Sequence, residues 1–398
     1  MRAFVALLLF ILLLSPKINI ISMPGYNAGL RIDDMIISLI FLCFFAISLA
    51  RVNLKIERRY SSFVFSMLIS TVVSYFIYRQ GSLLFPARFI EYAIFIYIGF
   101  YLYKSGGSIM VFALNSFFIA NSVVALLQWQ GLLGGFTVYG YADFVGDRVV
   151  GLTAGPWELG VILNMATSYY LTSSSVKIKA LSALLLTFII LLTGSRMAFI
   201  ANVIVLSAYL LNKRSAASKI GIIISLIPFF GIIAFMASGT SLAERSVNIF
   251  SYSNISDLSN IFHNTKVEFG NPDWELISMM DIDGADMSWS MRVVKWIYAI
   301  KMFSLDPYFW FFGVGAGTFG NALDGGWLRV IIECGIVGFL LFVSFLSTVK
   351  KQSYFLYLSV IAISINMIMI DIYMSYKVMS VLLLCYGFSY MKNKTEIK

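Results

Sequence analysis

Long apolar runs recur from one end of this chain to the other, and shorter polar segments separate them. A helix needs about 20 mostly apolar residues to cross the hydrocarbon core of a bilayer, and most of these runs approach that length. The pattern predicts an all-α, polytopic integral membrane bundle of about twelve transmembrane helices, with residues 1–398 as a single transmembrane domain. The candidate crossings are about residues 3–21, 35–50, 63–78, 89–103, 111–133, 157–171, 180–193, 198–211, 220–237, 327–349, 354–370 and 373–391.

Lysine and arginine fall in every second connection, and this alternation predicts the orientation of the bundle. Short loops rich in Lys and Arg remain in the cytoplasm. With an even number of crossings, the basic segments and both termini are then cytoplasmic. The basic clusters are Arg51, Lys55, Arg58 and Arg59; Lys104; Lys177 and Lys179; Lys213, Arg214 and Lys219; Lys350 and Lys351; and Lys392, Lys394 and Lys398.

The composition agrees with a membrane protein and changes the interpretation of the charge. Hydrophobic residues make up 60% of the chain and charged residues only 12%, which excludes a soluble globule. The formal net charge of +9 at pH 7 would suggest nucleic acid in a soluble protein. Here the basic excess lies in predicted cytoplasmic loops, so it indicates topology and contact with anionic membrane lipid, and no nucleic-acid partner is predicted.

The apolar run over residues 180–211 is predicted to be two helices. Gly194-Ser195-Arg196 interrupts the run, and one continuous helix would be much longer than a bilayer requires. A single helix would also place Lys177 and Lys213 on opposite sides of the membrane. A hairpin keeps both basic clusters inside and places Arg196 at the outer surface.

The chain becomes polar from about residue 238 to residue 326, and this stretch is predicted to be one large extracytoplasmic loop. Its length favours a functional role over an idle connection. Within the loop, Val293, Ile297 and Ile300 share one helical stripe, which predicts an amphipathic helix over residues 288–303 on the outer leaflet. The sequence has no internal repeat and no pair of interrupted helices of the kind found in many transporters.

Arginines on the predicted outer face give the strongest chemical signal. Any single one could reach the interface or pair with a nearby acid. Several together favour a polyanionic ligand, because the guanidinium fork matches phosphate oxygens and such charge-assisted contacts are strong. We therefore predict binding of a diphosphate anchored in the outer leaflet. The candidates are Arg148, Arg196, Arg245 and Arg292, and Arg79 and Arg88 flank a further outer loop.

Three carboxylates are candidates for proton transfer or for internal pairing. Glu158 opens a predicted crossing, so it is either a proton acceptor or a carboxylate favoured by the helix dipole. Asp324 precedes the crossing at residues 327–349, where its alternative role is that of a helix N-cap. Glu333 lies about two turns inside that crossing, and a buried carboxylate there needs a partner such as an internal arginine.

Other apparent motifs predict less chemistry. Residues 315–320 match the dinucleotide fingerprint in spacing but lack the flanking strand and acid, so only a turn that offers backbone N–H groups to an anion is predicted. Residues 281–286 depart from the calcium-loop pattern, and His263 is the only histidine. The sequence therefore predicts neither a metal site nor a nucleotide cofactor.

Three short stretches together resemble a known family. The first resembles an Arg-x-x-Gly motif ahead of an apolar helix, the second a Thr-Gly-Ser-Arg turn, and the third the end of a large outer loop that runs into a helix. In this order they are similar to the bacterial O-antigen polymerases of the Wzy type, within the wider group of O-antigen polymerases and ligases. The stretches are Arg148-Val149-Val150-Gly151 with Pro156-Trp157-Glu158-Leu159-Gly160; Leu192-Thr193-Gly194-Ser195-Arg196-Met197-Ala198; and Arg292 through Gly315, then Asp324 to Gly338 with Leu328, Glu333 and Gly335.

The resemblance is closer to the polymerases than to the ligases. Ligases carry His-Asn four residues ahead of the leucine that Leu328 matches, and that histidine is their catalytic candidate. This chain has Asp324-Gly325 at the place of the histidine and asparagine, as polymerases commonly do. The comparison therefore favours a polymerase and makes Asp324 a candidate catalytic residue.

The resemblance implies a glycosyltransferase of the bacterial inner membrane that joins undecaprenyl-diphosphate-linked repeat units into O-antigen on the periplasmic face. Donor and acceptor are both lipid-linked glycans, and a chain-length regulator protein is a further expected partner. Arginines would stabilise the leaving diphosphate, and Asp324 or Glu158 would accept the proton of the attacking hydroxyl. We expect Arg148, Arg196, Arg245 and Arg292 to bind diphosphate, with Arg292 also among the catalytic residues.

Two other functions stay open at this point: an O-antigen ligase, and a flippase or transporter of lipid-linked glycans. A carrier would place arginines deep in a central cavity between pseudo-symmetric halves. The arginines of this chain are predicted at outer helix ends, beside a long outer loop. A purely structural membrane protein would leave these arginines without a ligand.

Overall fold

Helices dominate the structure of the chain, which is a computed structural model. It describes residues 2–15, 19–22, 29–31, 34–40, 42, 57–105, 107–137, 140–142, 148–173, 179–212, 262–263, 265–267, 269, 287–320 and 322–396. The predicted helical class is confirmed for these residues, with two short antiparallel β-hairpins as the exception.

The described elements follow one another along the chain in a simple order. The hairpins pair β1 (Asn19–Ser22) with β2 (Gly29–Arg31) and β3 (Gly135–Thr137) with β4 (Gly140–Ala142). A single turn of 3-10 helix at Ile372–Met374 precedes the last helix. The helices are α1 (Arg2–Leu14), α2 (Arg58–Tyr78), α3 (Leu84–Ser105), α4 (Ser108–Trp129), α5 (Pro156–Thr172), α6 (Lys179–Leu192), α7 (Arg196–Leu211), α8 (Met287–Phe303), α9 (Pro307–Phe312), α10 (Gly326–Val349), α11 (Tyr354–Asn366) and α12 (Tyr376–Glu396).

Several helices have the length and composition of membrane-spanning segments. Among the described residues, α2, α3, α4 and α10 are long and apolar enough to cross a membrane, and α6, α7 and α11 are shorter apolar helices. The outer surfaces of these helices carry exposed apolar side chains such as Phe65, Phe112, Leu184 and Leu340. Such surfaces are typical of proteins that face lipid. The structure thus supports an integral membrane protein.

Most of the predicted crossings coincide with a described helix, and the largest difference lies near the N-terminus. The first was expected to reach residue 21, but α1 ends at Leu14 and Asn19–Ser22 is a strand. Pro16 explains the early end, because the residue before a proline is disfavoured in a helix. The crossing at 35–50 is described only at residues 34–40 and 42, where it is helical, and the crossing at 220–237 lies outside the described residues.

The predicted break at Gly194-Ser195-Arg196 is confirmed. Helix α6 ends at Leu192 and α7 begins at Arg196. The two helices fold back on each other, and the Asn202 amide donates a hydrogen bond to the Thr187 hydroxyl at 2.7 Å. The chain reverses here because Gly194 has a φ of 59°, in the left-handed region that glycine adopts without steric cost.

The connections between helices lie at two opposite ends of the bundle. At one end, which we call the basic end, Arg59 donates to the Thr348 hydroxyl, and the Asn393 amide donates to the Gln352 carbonyl at 2.8 Å. The opposite end, called the site end, contains the start of α5, α7, α10 and α12 and the end of α2, α4 and α6. The described basic residues at helix termini of the basic end are Arg58, Arg59, Lys104, Lys179, Lys350, Lys351, Lys392 and Lys394.

Helices α3 and α12 pack through glycines. A Cβ atom on Gly387 would lie 2.1 Å from the carbonyl oxygen of Ile96, and one on Gly99 would lie 2.3 Å from that of Leu384. Tyr92 also donates to the Met374 carbonyl at 3.1 Å. Small residues at helix contacts are typical of membrane bundles, where close backbone approach replaces the hydrophobic driving force.

Helix α10 is broken in its middle, although the sequence predicted a continuous crossing. Gly335 has φ 67° and ψ −178°, a conformation that side chains disfavour. The break frees the carbonyls of Ile332 and Glu333. They accept hydrogen bonds from the backbone N–H groups of Val314 at 2.8 Å and Gly315 at 3.1 Å. The kink is therefore stabilised by the glycine-rich turn that precedes α10 in the chain.

The amphipathic helix predicted over residues 288–303 is present as α8, but its buried face differs from the prediction. Of the predicted stripe, Val293 is buried, whereas Ile300 is 49% exposed. The buried face packs inside the protein because the segment that follows α8 folds back against it. This cluster contains Val294, Tyr298, Ala299, Met302, Phe309, Val314, Phe319, Leu323 and Ile332.

Candidate functional site

Arg148 binds the turn between α6 and α7. Its Nε donates to the Thr193 carbonyl at 2.9 Å, and its Nη2 donates to the Gly194 carbonyl at 3.4 Å. The N–H of Val149 donates to the Leu192 carbonyl at 3.3 Å. Arg148 is therefore bound to the α6–α7 turn, and part of its guanidinium group stabilises that turn.

Arg196 lies on the same turn, as the first residue of α7 after the N-cap Ser195. The structure thus brings together two of the predicted phosphate ligands, Arg148 and Arg196. The N-terminus of a helix carries partial positive charge, so the position favours an anion in addition to the two guanidinium groups.

Glu158 is buried in the first turn of α5. Its carboxylate accepts a hydrogen bond from the Ala154 N–H at 3.1 Å and another from the Ser375 hydroxyl. Because Ser375 precedes α12, these contacts join the starts of two helices. Both carboxylate oxygens are engaged inside the protein, which favours the helix-start role over proton transfer.

Arg292 and Asp324 lie side by side. Nε of Arg292 is 3.7 Å from Oδ2 of Asp324, and about a third of each side chain is exposed. Asp324 has a φ of 59°, and the Trp296 indole donates to the carbonyls of Leu323 and Asp324 at 3.1 and 3.2 Å. The pair is thus fixed by α8 on one side and by the loop before α10 on the other.

Asp324 is not the N-cap that the alternative interpretation expected. The N-cap of α10 is Gly325, and its N–H donates to the carboxylate of Asp371 at 3.0 Å. Burial raises the pKa of the Asp324 carboxyl above its usual value, and the Arg292 guanidinium opposes this effect. The carboxyl pKa is therefore shifted toward neutral pH, which is the direction that favours proton transfer.

Asp371 organises the backbone around Asp324. Its Oδ2 accepts the Leu323 N–H at 2.7 Å, and its Oδ1 accepts the Gly325 N–H, so both neighbours of Asp324 bind the same carboxylate. The Arg329 guanidinium completes this arrangement with a contact of 2.8 Å to Oδ2. Asp371 lies in the short connection between α11 and α12, far from Asp324 in sequence.

Glu333 has the internal arginine partner that its buried position required. Its Oε1 is 3.1 Å from Nε of Arg329, one turn earlier in α10, and both side chains are buried. The N–H of Phe319 also approaches Oε1, at 3.5 Å. The glycine-rich turn at residues 315–320 therefore does present backbone N–H to an anion, but that anion is a side chain of the protein itself.

The predicted site residues fall into two groups at the site end. Arg148 and Arg196 share the α6–α7 turn, and Arg292 pairs with Asp324. Between the groups lies the connection before α12, where Ser375 binds Glu158 and Asp371 binds the residues beside Asp324. The other predicted residues were not placed in either group: Arg245 lies outside the described residues, and Arg88 is 3.9 Å from Asp34.

Sequence reasoning missed Asp371, Arg329 and Lys377. Arg329 is fully buried, and the buried Lys377 donates to the Leu152 carbonyl at 2.6 Å. A signal was present, because each is an ionisable residue inside or beside a predicted crossing, where charge is costly and seldom idle. Glu333, one partner of Arg329, is only one helical turn away, whereas the contacts of Asp371 and Lys377 join distant parts of the chain and were not visible in the sequence.

Within the described part of the chain, no three His, Cys, Asp or Glu side chains are grouped as a metal ion would require. Residues 281–286 lie outside that part. No protein-family model matches the chain, and comparison with curated proteins likewise finds no match.

Proposed function

We propose that the chain is a glycosyltransferase that polymerises undecaprenyl-diphosphate-linked repeat units, an O-antigen polymerase of the Wzy type. The observation that carries the proposal is the Arg292–Asp324 pair. It combines a cation suited to phosphate with a carboxylate of raised pKa. Arg148 and Arg196 supply further cations at the same end of the bundle.

The reaction is a displacement at the first sugar of the growing chain. A hydroxyl oxygen of the lipid-linked acceptor unit forms a new glycosidic bond to the anomeric carbon of the donor glycan. The bond from that carbon to the diphosphate breaks, and undecaprenyl diphosphate leaves. Asp324 accepts the hydroxyl proton, and the arginines stabilise the negative charge that develops on the leaving group. The bonds and charges balance without a nucleotide or a metal.

The proposed setting is the bacterial inner membrane, with twelve crossings, both termini in the cytoplasm and the site end in the periplasm. The grouping of Lys and Arg at the basic end supports this orientation, since basic segments stay in the cytoplasm. Both substrates carry their lipid in the outer half of the bilayer. A chain-length regulator is the protein partner we expect, and Arg245 is a further proposed diphosphate ligand.

A carrier of lipid-linked glycans is the second candidate. Two observations favour it: the buried Arg329 and the interrupted helix α10. Interrupted helices often form the binding sites of transporters. Arg329, however, is fully buried and already contacts Asp371, Glu333 and the Gly320 carbonyl, so it presents no exposed face to a substrate. The polymerase is therefore preferred.

A reconstituted assay tests the function directly. The purified chain in vesicles is mixed with lipid-linked repeat units and no nucleotide, and the products are separated by size. The polymerase forms a ladder of longer glycans and releases undecaprenyl diphosphate in proportion. A carrier instead moves intact lipid-linked units between leaflets, and a ligase extends only a lipid A acceptor.

Arg→Lys substitutions test the diphosphate role. We expect Arg292→Lys to reduce activity about as strongly as Arg292→Ala, because lysine keeps the charge but loses the planar fork. Arg148 and Arg196 should behave in the same way at unchanged protein abundance. Full polymerisation by all three lysine variants would exclude a role for the guanidinium groups of these arginines in binding diphosphate. A lower melting temperature for Arg148→Lys alone would mean that this residue mainly braces the α6–α7 turn.

Asp324 is tested with two substitutions of different chemistry. Asn is similar in size and keeps a hydrogen-bond acceptor beside Arg292, but it cannot take a proton. If Asp324 is the base, Asp324→Asn loses activity by about 100-fold or more while the protein remains folded. An active Asp324→Asn protein together with an inactive Asp324→Ala protein would assign Asp324 a positioning role and direct the search to Glu158.

A further inference from the structure

The depth of the α10 break follows from its contact with α2. Helix α2 has 21 residues, and at about 1.5 Å per residue it is about 30 Å long, which equals the thickness of a hydrocarbon core. Tyr78 is the last residue of α2 at the site end, where the helix reaches the membrane surface. Ser70 lies about two turns before Tyr78 and therefore about 12 Å below that surface. The Ser70 hydroxyl donates to the Glu333 carbonyl at 3.0 Å, so the break lies at the same depth.

Helix α9 and the turn after it lie against this break. A Cβ atom on Gly335 would be 2.2 Å from the Phe311 carbonyl oxygen, and one on Gly313 would be 2.3 Å from that of Glu333. The two backbones are thus in direct contact. The Ser74 hydroxyl, one turn from the site end of α2, approaches the Gly313 carbonyl at 3.4 Å. The middle of the segment, around residues 311–315, consequently lies below the level at which α2 ends, whereas Phe309 packs against Tyr78 at that level.

The irregular backbone of this segment is bonded inside the protein. The Ala316 N–H donates to the Thr71 hydroxyl at 3.0 Å, and the Ala316 carbonyl accepts from the Ser82 N–H at 2.8 Å. The Gly320 carbonyl accepts from Arg329 at 2.7 Å. Non-helical backbone is tolerated at membrane depth only under this condition, because lipid offers no hydrogen bonds.

The outward surface of α9 is aromatic. Trp310 is 48% exposed and Phe311 57% exposed, and Phe312 is exposed as well. The helices that α9 contacts also expose apolar side chains, such as Ile77 on α2 and Ile336 beside the break in α10. Shielding one such side chain from water contributes about 1.5–3 kcal/mol, so the aromatic surface favours an apolar environment.

We propose that residues 307–320 form a re-entrant segment, which enters the hydrocarbon core from the site end, contacts acyl chains through Trp310, Phe311 and Phe312, and returns to the same surface. The partner is the lipid in the half of the bilayer nearer the site end. The segment lies within residues 238–326, the stretch that hydropathy assigns to one large loop outside the hydrocarbon core. Because it leaves by the side through which it enters, the number of full crossings is unchanged. The inference does not depend on the proposed enzymatic function.

Spin labelling of the full-length protein in phosphatidylcholine–phosphatidylglycerol vesicles tests this depth. All three cysteines are replaced by alanine, and a single cysteine is placed at Phe311 or, in a second variant, at Trp310. Leu340, exposed on α10, serves as the lipid-facing control, and Lys351 at the basic end serves as the aqueous control. Collision rates with oxygen, which is enriched in lipid, and with a water-soluble nickel chelate are measured for each label.

The expected result is a label at position 311 that resembles the one at 340, with high oxygen access and nickel access at least about tenfold below that of the label at 351. The second position, 310, gives the same test if the first variant does not fold. Nickel access at either folded variant equal to that at 351 would overturn the proposal, because the aromatic surface would then face water.

Discussion

At the residue scale, the candidate site depends on one carboxylate that touches no proposed substrate. Asp371 binds the N–H groups on both sides of Asp324 and the Arg329 guanidinium. This arrangement holds Asp324 at a φ of 59°, which non-glycine residues seldom adopt. Strained backbone persists where the surroundings enforce it, and such positions are frequent at functional sites. Asp371 is therefore a positioning residue for the proposed reaction.

Asp371→Asn should move the pH dependence of polymerisation. The charges around Asp324 are Arg292, Lys295 and Arg329, which lower its pKa, and Asp371, which raises it. A base works when deprotonated, so activity is lost as pH falls through its pKa. Removing the Asp371 charge lowers that pKa, and the acid limb of the profile shifts to lower pH. The maximal rate falls about tenfold, as expected from a weakened charge-assisted hydrogen bond.

The matched control is Asp306→Asn, which removes another carboxylate of the same loop region. Asp306 accepts a hydrogen bond from the Tyr78 hydroxyl at 2.6 Å and is not among the groups that mainly shift the Asp324 pKa. The acid limb of the pH–activity profile of Asp306→Asn should lie at the same pH as in the unchanged protein. An acid limb that moves equally in both variants would contradict the positioning role of Asp371.

At the element scale, the interrupted helix α10 is the feature on which the site end is built. The break allows the turn at residues 313–320 to bond the freed carbonyls of Ile332 and Glu333. The first half of the helix then carries Arg329 and Glu333 inward, and its N-terminus begins beside Asp324. A straight helix would satisfy its own carbonyls and would exclude the turn.

Gly335→Ala should destabilise the protein strongly. The new Cβ would lie 2.2 Å from the Phe311 carbonyl, and the backbone has a φ of 67°. We expect a lower melting temperature in detergent and a loss of folded yield. The control is Gly131→Ala, at φ 71° with no atom within 4 Å of the added Cβ, which costs only the backbone strain of about 1 kcal/mol. Equal losses in both variants would mean that the contact with Phe311 is unimportant.

At the scale of the whole molecule, charge and chemistry are separated along the bundle. Most of the described Lys and Arg residues at the basic end are exposed. At the site end, Arg148 donates to backbone carbonyls, Arg292 pairs with Asp324, and Arg196 begins α7. The separation agrees with a protein whose two ends meet different compartments. Its direction relative to the membrane is a prediction that labelling can test.

Single cysteines in a background without native cysteines should report this direction. Gln130, at the end of α4, and Ser304, after α8, are exposed at the site end, and Lys351 and Thr395 are exposed at the basic end. We expect an impermeant maleimide to label the first two in intact spheroplasts and the last two only after permeabilisation. Ser195 is unsuitable because it is only 5% exposed. The opposite pattern would place the site in the cytoplasm and exclude the proposed reaction.

The sequence by itself determined the approximate positions of most of the described helices, although several of their ends differ by three to seven residues from the prediction. Local hydropathy and charge are sufficient for this, because a run of apolar residues must leave water whatever it contacts. The α6–α7 turn at Gly194 and the partner required by Glu333 were predictable for the same reason. They follow from the length of a bilayer and from the cost of a buried charge.

Only the tertiary structure decided how the chemistry is assembled. The break at Gly335 exists because the turn at residues 313–315 supplies its hydrogen bonds, and Asp324 is held by Asp371, which belongs to another connection. The buried face of α8 depends on the segment that folds against it. Hydropathy fixes whether a residue is withdrawn from water, whereas the partner of a polar group is set by whichever distant segment packs beside it, and that information is not local in the sequence.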